Sequence, residues 1–105
     1  MTGRGMVTDR TYAVYIMASK PHGTLYVGVT GDIISRGRQH KEGEVAGFTK
    51  RYGVHRLVWF EYFGDIHLAI QREKSLKKWR RDWKINIIEQ LNPHWEDLYP
   101  QFFLV

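Results

Sequence analysis

Two tyrosines on a predicted hairpin are the first side chains of this sequence that could do chemistry together. Residues 12–17 and 25–29 read as β-strands because they are short runs of β-branched and aromatic residues. Side chains alternate between the faces of a strand, and a four-residue loop, Ser19 to His22, would place Tyr15 directly opposite Tyr26. Two phenols would then point to one spot, either as an aromatic pair in the core or as hydroxyls that act on a ligand.

An arginine and a histidine one helical turn apart form a second candidate pair. Arg36 and His40 are four residues apart in a segment for which Asp32 is a suitable N-cap, so they share one helix face, which continues the line of Ile33 toward the core. A guanidinium offers a fixed fork of donors that suits a phosphate, and a histidine donates, accepts or transfers a proton at neutral pH. The alternative interpretation is a solvated basic helix without a catalytic role.

Glu73 is an acidic residue on the apolar side of a predicted helix over residues 66–79. The apolar positions of this helix are Ile66, Ala69, Ile70 and Leu76. Glu73 falls among them and should face inward, where a carboxylate must be paired, hydrogen-bonded or bound to a metal because its desolvation is costly. Two interpretations stay open: an ion pair with Lys77 or Arg36, or the single carboxylate ligand that Mg²⁺ often takes in phosphate chemistry.

Positive charge is concentrated in two blocks of the chain. The 105 residues include 16 Lys and Arg against 11 Asp and Glu, for a net charge of +5 at pH 7. Residues 34–56 contribute +4 and residues 72–84 contribute +5, so these blocks hold the whole surplus. With Trp79 and Trp83 between the bases, this pattern favours nucleic-acid binding, the alternative being a solvated helix whose tryptophans pack on the core. The candidate nucleic-acid contacts are Arg38, Lys41, Lys50, Arg51, Lys74, Lys77, Lys78, Arg80 and Arg81.

The elements that must position these side chains follow in the order ββαβαα. After the hairpin we expect a helix to about residue 41, a glycine-punctuated loop over 42–56, a strand over 57–63, and helices over 66–79 and 81–91 that stop at Asn92-Pro93. Gly37 within the first helix costs roughly 1 kcal/mol relative to alanine, which indicates a close neighbour. This order predicts an α+β domain with a small, largely antiparallel sheet.

The two ends of the chain are expected to lie outside this regular structure. Residues 1–10 are polar with two glycines and read as a flexible leader. Residues 95–105 are aromatic and read as irregular, with an apolar tail over 100–105 after a domain that spans 11–99.

Several functional classes are excluded by what the sequence lacks. Without cysteine it can form no disulfide framework and no thiolate-ligated metal site. Its 5 histidines lack the spacing of zinc ligands, and no P-loop, dinucleotide fingerprint or Gly-x-Ser-x-Gly elbow occurs. No segment resembles a signal peptide or a membrane span, so we expect a cytoplasmic location and no membrane partner.

Taken in order, these residues resemble the signature of the GIY-YIG nuclease superfamily. Tyr12-Ala-Val-Tyr15 is similar to its first half and Tyr26-Val-Gly28 to its second, with Arg36 and His40 following Tyr26 as the helix arginine and histidine of the family do. Glu73 stands where the metal-binding glutamate of the family stands, and Asn92 resembles the asparagine near the end of the domain.

The resemblance covers about residues 11–99 and extends to a small single-domain bacterial branch of the family, UPF0213-like. The stretches that carry it are Gly-Thr-Leu-Tyr-Val-Gly-Val-Thr, Gly-Phe-Thr-Lys-Arg-Tyr-Gly-Val and Arg-Glu-Lys-Ser-Leu-Lys-Lys-Trp. Ala13, Val14 and Val27 are conservative departures from the signature, and Ser35 stands where many relatives carry a second arginine.

The resemblance implies a three-stranded antiparallel sheet flanked by helices and a metal-dependent endonuclease. It implies catalytic roles for Tyr15, Tyr26, Arg36, His40 and Asn92, and a single Mg²⁺ or Mn²⁺ ion on Glu73, with the general base left open. The expected substrate is nucleic acid, DNA before RNA, with low sequence specificity, and the expected state is a monomer or weak homodimer. The alternatives are a non-catalytic nucleic-acid-binding domain and a protein-interaction module that uses the tail at residues 102–105.

Overall fold

The computed structural model describes residues 11–43 and 51–104, which follow the predicted order ββαβαα. The strands and helices have these bounds: β1 Tyr12–Ala18, β2 Leu25–Thr30, α1 Ile33–Lys41, β3 Arg56–Phe63, α2 Ile66–Lys78, α3 Arg81–Leu91, and a 3-10 helix at Tyr99–Phe103. The leader predicted at residues 1–10, part of the predicted loop and Lys50 lie outside the described residues.

The sheet is antiparallel with the order β2-β1-β3, which confirms the predicted fold class. On β2, Gly28 lies opposite Tyr15, and Tyr26 lies opposite Met17. The two tyrosines therefore point to the same face, as predicted, but they are diagonal neighbours. The prediction that they lie directly opposite each other was wrong because the loop between the strands runs from residue 19 to residue 24, two residues longer than expected.

Each face of the sheet carries a core, and β1 contributes to both. Val14, Ile16 and Ala18 pack on one side with Leu76 of α2 and Ile88 of α3. Ala13, Tyr15 and Met17 pack on the other side with Ile33 of α1 and Leu98. All six β1 side chains are at most 1% exposed. Because burial of apolar surface is the dominant stabilising term, β1 is the element on which both layers rest.

Helix α1 begins at its predicted cap and is held in place by Tyr99. The Asp32 side chain accepts a hydrogen bond from the Ser35 N–H at 3.1 Å. A Cβ on Gly37 would lie 2.6 Å from the Tyr99 ring, and the Tyr99 hydroxyl donates to the Ile34 carbonyl at 3.1 Å. The close neighbour expected at Gly37 is therefore the 3-10 helix.

This 3-10 helix replaces part of the irregular end predicted from the sequence. It spans the predicted boundary after residue 99, and its Phe102 packs against the core on the α1 side, while Phe103 and Leu104 are exposed. Phe102 and Phe103 therefore lie on different faces of a short helix. A pattern of so few residues does not predict this helix from the sequence alone. In residues 11–43 and 51–104 no helix is long and apolar enough to cross a membrane.

Candidate active site

The Tyr15 hydroxyl and the His40 ring form a buried hydrogen-bonded pair. Tyr15 Oη and His40 Nε2 are 3.0 Å apart, and the rings meet edge-on at 5.4 Å between centroids. Tyr15 is 1% exposed and His40 is 0% exposed. The central strand supplies the phenol and the last turn of α1 supplies the imidazole, so this contact joins the sheet to the helix that covers it.

Tyr26 and Arg36 complete a cluster around the Tyr15 hydroxyl. The Tyr26 ring lies 6.3 Å from the Tyr15 ring and 5.2 Å from the His40 ring. Arg36 and Tyr26 lie near enough to the Tyr15 hydroxyl to shift its pKa in opposite directions, Tyr26 upward and Arg36 downward. The structure thus brings together four of the residues singled out in the sequence, all on the α1 side of the sheet.

The protonation states of this cluster follow from its burial. Burial raises the pKa of Tyr15 above its usual value, Tyr26 adds to the rise, and Arg36 opposes it. Burial lowers the pKa of His40 to about 4, with electrostatic interactions with Arg36 and His55 acting in the same direction. At pH 7 the site therefore presents a neutral phenol and a neutral imidazole beside one guanidinium. His40 Nδ1 is buried and has no hydrogen-bond partner in the described part of the chain.

Gly28 is a site residue to which the sequence reasoning gave no role of its own. A Cβ at this position would lie 2.4 Å from the Tyr15 hydroxyl oxygen and 2.5 Å from the ring carbon that bears it. Tyr15 therefore reaches the cluster by lying across the backbone of Gly28. The available signal was a glycine inside a strand, which marks a close approach by another group.

Glu73 lies in the helix layer on the opposite face of the sheet. Its side chain is 12% exposed, and Lys77 Nζ lies 2.7 Å from Glu73 Oε2, one helical turn further on. Of the two interpretations left open by the sequence, the ion pair with Lys77 is present. Lys77 also lines an open groove of about 310 Å³ at the free edge of β2, together with Tyr26. At this edge a side chain of α2 and a tyrosine of the site line the same groove.

The donor chemistry around Glu73 suits one hard divalent cation. A carboxylate with several waters is the usual environment of Mg²⁺ near phosphates. Among the described residues no group of three or more His, Asp or Glu side chains is placed to hold a metal. An ion held by Glu73 alone would compete with Lys77 for the carboxylate.

Asn92 lies at the end of α3, where its side chain binds backbone groups. Asn92 Nδ2 donates to the carbonyls of Val58 at 3.1 Å and Glu96 at 2.8 Å, and Asn92 Oδ1 accepts from the Glu96 N–H at 3.0 Å. The side chain is buried. Its amide thereby ties the segment after α3 to strand β3.

A family model described as the GIY-YIG catalytic domain matches residues 11–86. The chain belongs to the GIY-YIG family. The matched range contains the Tyr15 cluster and Glu73 and ends before Asn92.

Two curated proteins place this GIY-YIG chain in the UPF0213 branch. It is 35% identical to a UPF0213 protein of Haloquadratum walsbyi over 73% of this chain and 85% of that protein. It is 36% identical to a UPF0213 protein of Clostridium perfringens over 71% of this chain and 80% of that protein.

A solved structure agrees with the fold of this GIY-YIG chain. The solution NMR structure of a UPF0213 protein from Bacillus halodurans superposes with a TM-score of 0.53 at 27% identity, over 86% of this chain and 95% of that one. The α+β architecture and the small branch of the family are both confirmed.

The GIY-YIG domain concentrates its cationic side chains at the junction of α2 and α3. Lys74 and Lys78 are exposed on α2, while Arg80 pairs with Asp82 at 2.8 Å. Burial lowers the pKa of Lys84, and the positive charge of Arg81 lowers it further. A bound anion would relieve this crowding of like charges.

The remaining basic residues that were predicted to bind nucleic acid and that the structure describes have partners within the fold. Arg38 pairs with Glu42 at 2.7 Å, and Lys41 pairs with Asp97. Arg51 lies over the ring of its neighbour Tyr52 at 5.6 Å. Arg81 donates to the carbonyls of His22 and Gly23, both at 2.6 Å, and so fastens the hairpin turn to α3.

Proposed function

We propose that this chain is a Mg²⁺- or Mn²⁺-dependent endonuclease that hydrolyses phosphodiester bonds in nucleic acid, DNA in preference to RNA. The observation that supports it most is the convergence of Tyr26, Arg36 and His40 on the Tyr15 hydroxyl in a chain of the GIY-YIG family. Low sequence specificity is expected because contacts to phosphates carry no sequence information. Such an enzyme would act in DNA repair or processing in the cytoplasm, as a monomer or weak homodimer.

Arg36 stabilises the charge that develops during the reaction. The attack of water on a phosphodiester increases the negative charge on the non-bridging oxygens. A guanidinium fixed beside these oxygens stabilises the transition state more than the ground state, which is what accelerates the chemical step.

Tyr15 and His40 form the route for the proton of the attacking water. Because burial raises the pKa of Tyr15, its phenol stays neutral at pH 7 and orients the water rather than removing its proton alone. The Tyr15 hydroxyl takes the water proton as its own proton passes to His40 Nε2, 3.0 Å away, when the ring carries its hydrogen on Nδ1. The negative charge of a bound phosphate raises the pKa of His40 from its low resting value and favours this transfer.

Glu73 holds the divalent cation in this proposal. When bound, the ion neutralises the phosphate and stabilises the leaving oxygen. Lys77 occupies the carboxylate until then. Tyr26 supports the Tyr15 hydroxyl, and Asn92 is a positioning residue that acts through the backbone of β3.

Cleavage of labelled DNA tests the proposal. Single-stranded, duplex, nicked and flapped substrates are incubated with Mg²⁺, Mn²⁺ or EDTA, alongside an RNA strand. We expect metal-dependent cleavage that falls by about 10²- to 10³-fold in Arg36→Ala, since a charged transition-state donor is removed. Glu73→Gln should abolish the metal-dependent cleavage.

Two control variants carry the same change of charge at other positions. Arg38→Ala removes an exposed arginine from the same helix, and Glu42→Gln neutralises its exposed partner. Both should keep the cleavage rate at saturating substrate. Activity that survives both Arg36→Ala and Glu73→Gln would contradict the proposed site.

A non-catalytic nucleic-acid-binding domain is the alternative function. The observation in its favour is that Lys77 occupies the Glu73 carboxylate, as a purely structural ion pair would. This alternative predicts binding that weakens steeply with salt and no cleavage at any metal concentration.

A further inference from the structure

A second groove lies on the helical layer, between the end of α2 and α3. It has a volume of about 420 Å³ and combines a guanidinium, two indoles, one aliphatic side chain and two amides, from Arg72, Trp79, Trp83, Asn86, Ile87 and Gln90. We call it the tryptophan groove. Trp83 is 52% exposed. A large aromatic side chain left half in water beside a groove is typical of a binding surface.

The floor of the tryptophan groove is held in place before any ligand arrives. Arg72 Nε donates to Glu61 Oε1 at 3.0 Å, and the Arg72 guanidinium lies 5.9 Å from the Trp59 ring and 5.4 Å from the Trp79 ring. The Trp79 and Trp83 rings meet edge-on at 5.8 Å between centroids. These side chains form a platform that is already ordered, so a ligand that binds to it costs little conformational entropy.

The side chains around this platform suit a ligand with a flat ring, hydrogen-bonding groups at the edge of that ring and an attached anion. An indole stacks on an aromatic ring, and the exposed amides of Asn86 and Gln90 both donate and accept hydrogen bonds at its edge. The Arg80 guanidinium lies over the Trp83 ring at 5.6 Å and is paired with Asp82, so a phosphate beside the ring would take the place of this carboxylate. A nucleobase has such a ring and edge, and its phosphate supplies the anion. Within a duplex the base faces are covered by their neighbours, so the ligand is an unpaired base.

The tryptophan groove lies on the β3 side of α2, where Arg72 binds Glu61, while the groove beside Tyr26 lies at the β2 edge. Lys77 and Lys84 line the groove at the β2 edge, while Trp79 and Trp83 line the tryptophan groove. Both grooves therefore border the junction of α2 and α3, where the net charge of residues 72–84 is +5. A nucleic-acid strand that meets both grooves would have to cross this junction.

We propose that the tryptophan groove binds an unpaired nucleobase of the substrate by stacking on Trp83. This inference rests on the proposed function, because it defines the single-stranded part of the nucleic acid that the enzyme binds. It predicts a preference for substrates with an unpaired segment over uniform duplex.

Binding measured in EDTA separates this proposal from catalysis. Fluorescence anisotropy compares a short single-stranded oligonucleotide with an abasic strand of equal length and with a duplex. Trp83→Ala should weaken binding of the single strand by about 5- to 150-fold, since stacking contributes about 1–3 kcal/mol per base, and should leave the abasic strand unaffected. The slope of affinity against salt should not change, because no charge is removed.

Three further variants make the test specific. Trp83→Phe keeps a stacking ring and should retain most of the affinity. Tyr62→Ala removes an aromatic side chain on β3 that is equally exposed, at 51%, and should have no effect. The double variant Asn86→Ala with Gln90→Ala leaves the platform intact and should also weaken single-strand binding, so the test stands if Trp83→Ala fails to fold.

The outcomes distinguish the groove from the active site. Equal effects of Trp83→Ala on the normal and abasic strands, or no effect on either, would overturn the proposal. If cleavage depends on Arg36 but binding does not depend on Trp83, the proposed function is supported and the proposal for the tryptophan groove is rejected. Base-dependent binding through Trp83 without any cleavage would support the groove and contradict the nuclease.

Discussion

The Tyr15 phenol lies across the backbone of Gly28 on the neighbouring strand, where a Cβ would be 2.4 Å from the phenol oxygen. The two residues are opposite each other in the β1–β2 register. The position of the hydroxyl at the centre of the site therefore depends on residue 28 being a glycine, which has no side chain. The same relationship explains why a tyrosine can be 1% exposed in the core and still reach Tyr26 and His40.

Gly28→Ala should therefore displace the Tyr15 ring from the site. We expect kcat to fall by about 10²-fold, because a shift of about 1 Å in a reacting group has this effect. The free energy of unfolding should fall by about 1–3 kcal/mol, since the added methyl overpacks the core. Cleavage kinetics and urea unfolding measure the two effects. Gly64→Ala is the control, because its Cβ would meet nothing within 4 Å; an unchanged kcat in Gly28→Ala would contradict the role assigned to Tyr15.

His40 should make the stability of the domain depend on acidic pH. Burial, Arg36 and His55 lower its pKa in the folded state to about 4, below the ordinary value of 6.5. The unfolded chain therefore binds more protons between these two values, and the free energy of unfolding falls as the pH drops from about 6.5 to about 4. We expect His40 to contribute about 3 kcal/mol to this loss.

Urea unfolding at several pH values between 4 and 7 checks this prediction. His40→Gln removes the titration and should flatten the profile relative to the unmodified chain. His67→Gln replaces an exposed histidine on α2 and should leave the profile unchanged. Parallel profiles for His40→Gln and the unmodified chain would show that His40 is not the group responsible.

Lys77 should compete with the metal for Glu73. Its ammonium lies 2.7 Å from the Glu73 carboxylate, and its side chain is half-exposed, so removing it should tighten Mn²⁺ binding by about two- to fivefold. Calorimetric titration of Mn²⁺ into Lys77→Met measures this directly. Lys78→Met removes the same charge from the next residue and serves as the control. Mn²⁺ affinity that is equal in both variants would favour a purely structural ion pair.

Asn92 should affect folding and not the chemical step. Asn92→Ala removes the partners of the Val58 and Glu96 backbone groups and should lower the free energy of unfolding by about 2–3 kcal/mol. The kcat of the folded protein should stay within about twofold. Thermal unfolding and active-site-normalised kinetics separate the two, with the neighbouring exposed Leu91→Ala as control. A large loss of kcat at unchanged stability would contradict this prediction and indicate that Asn92 acts at the substrate site.

Local sequence rules predicted the elements and the faces of this domain well. The four-residue spacing of Arg36 and His40 placed both on the inner side of α1, and the apolar positions around Glu73 predicted its partly buried side chain. These features depend on the helical period, which the sequence displays directly.

Features that depend on packing between distant segments were not predictable in the same way. The strand register follows from a turn in which His22 adopts a positive φ of 59° and Arg81 of α3 binds the turn carbonyls. The contact of Asn92 with Val58 joins residues far apart in the chain. Neither feature produces a periodic pattern in the sequence. The register of the two tyrosines and the contacts of Asn92 could therefore be found only from the structure.

Strand β1 is paired on both edges and buried on both faces, and it also carries Tyr15. Local opening of a protein begins where buried contacts are few, so the amides of this strand exchange with solvent only when the whole domain unfolds. The central phenol of the site therefore belongs to the slowest-exchanging part of the molecule. Substrate meets a geometry that exists before binding and persists for as long as the domain is folded.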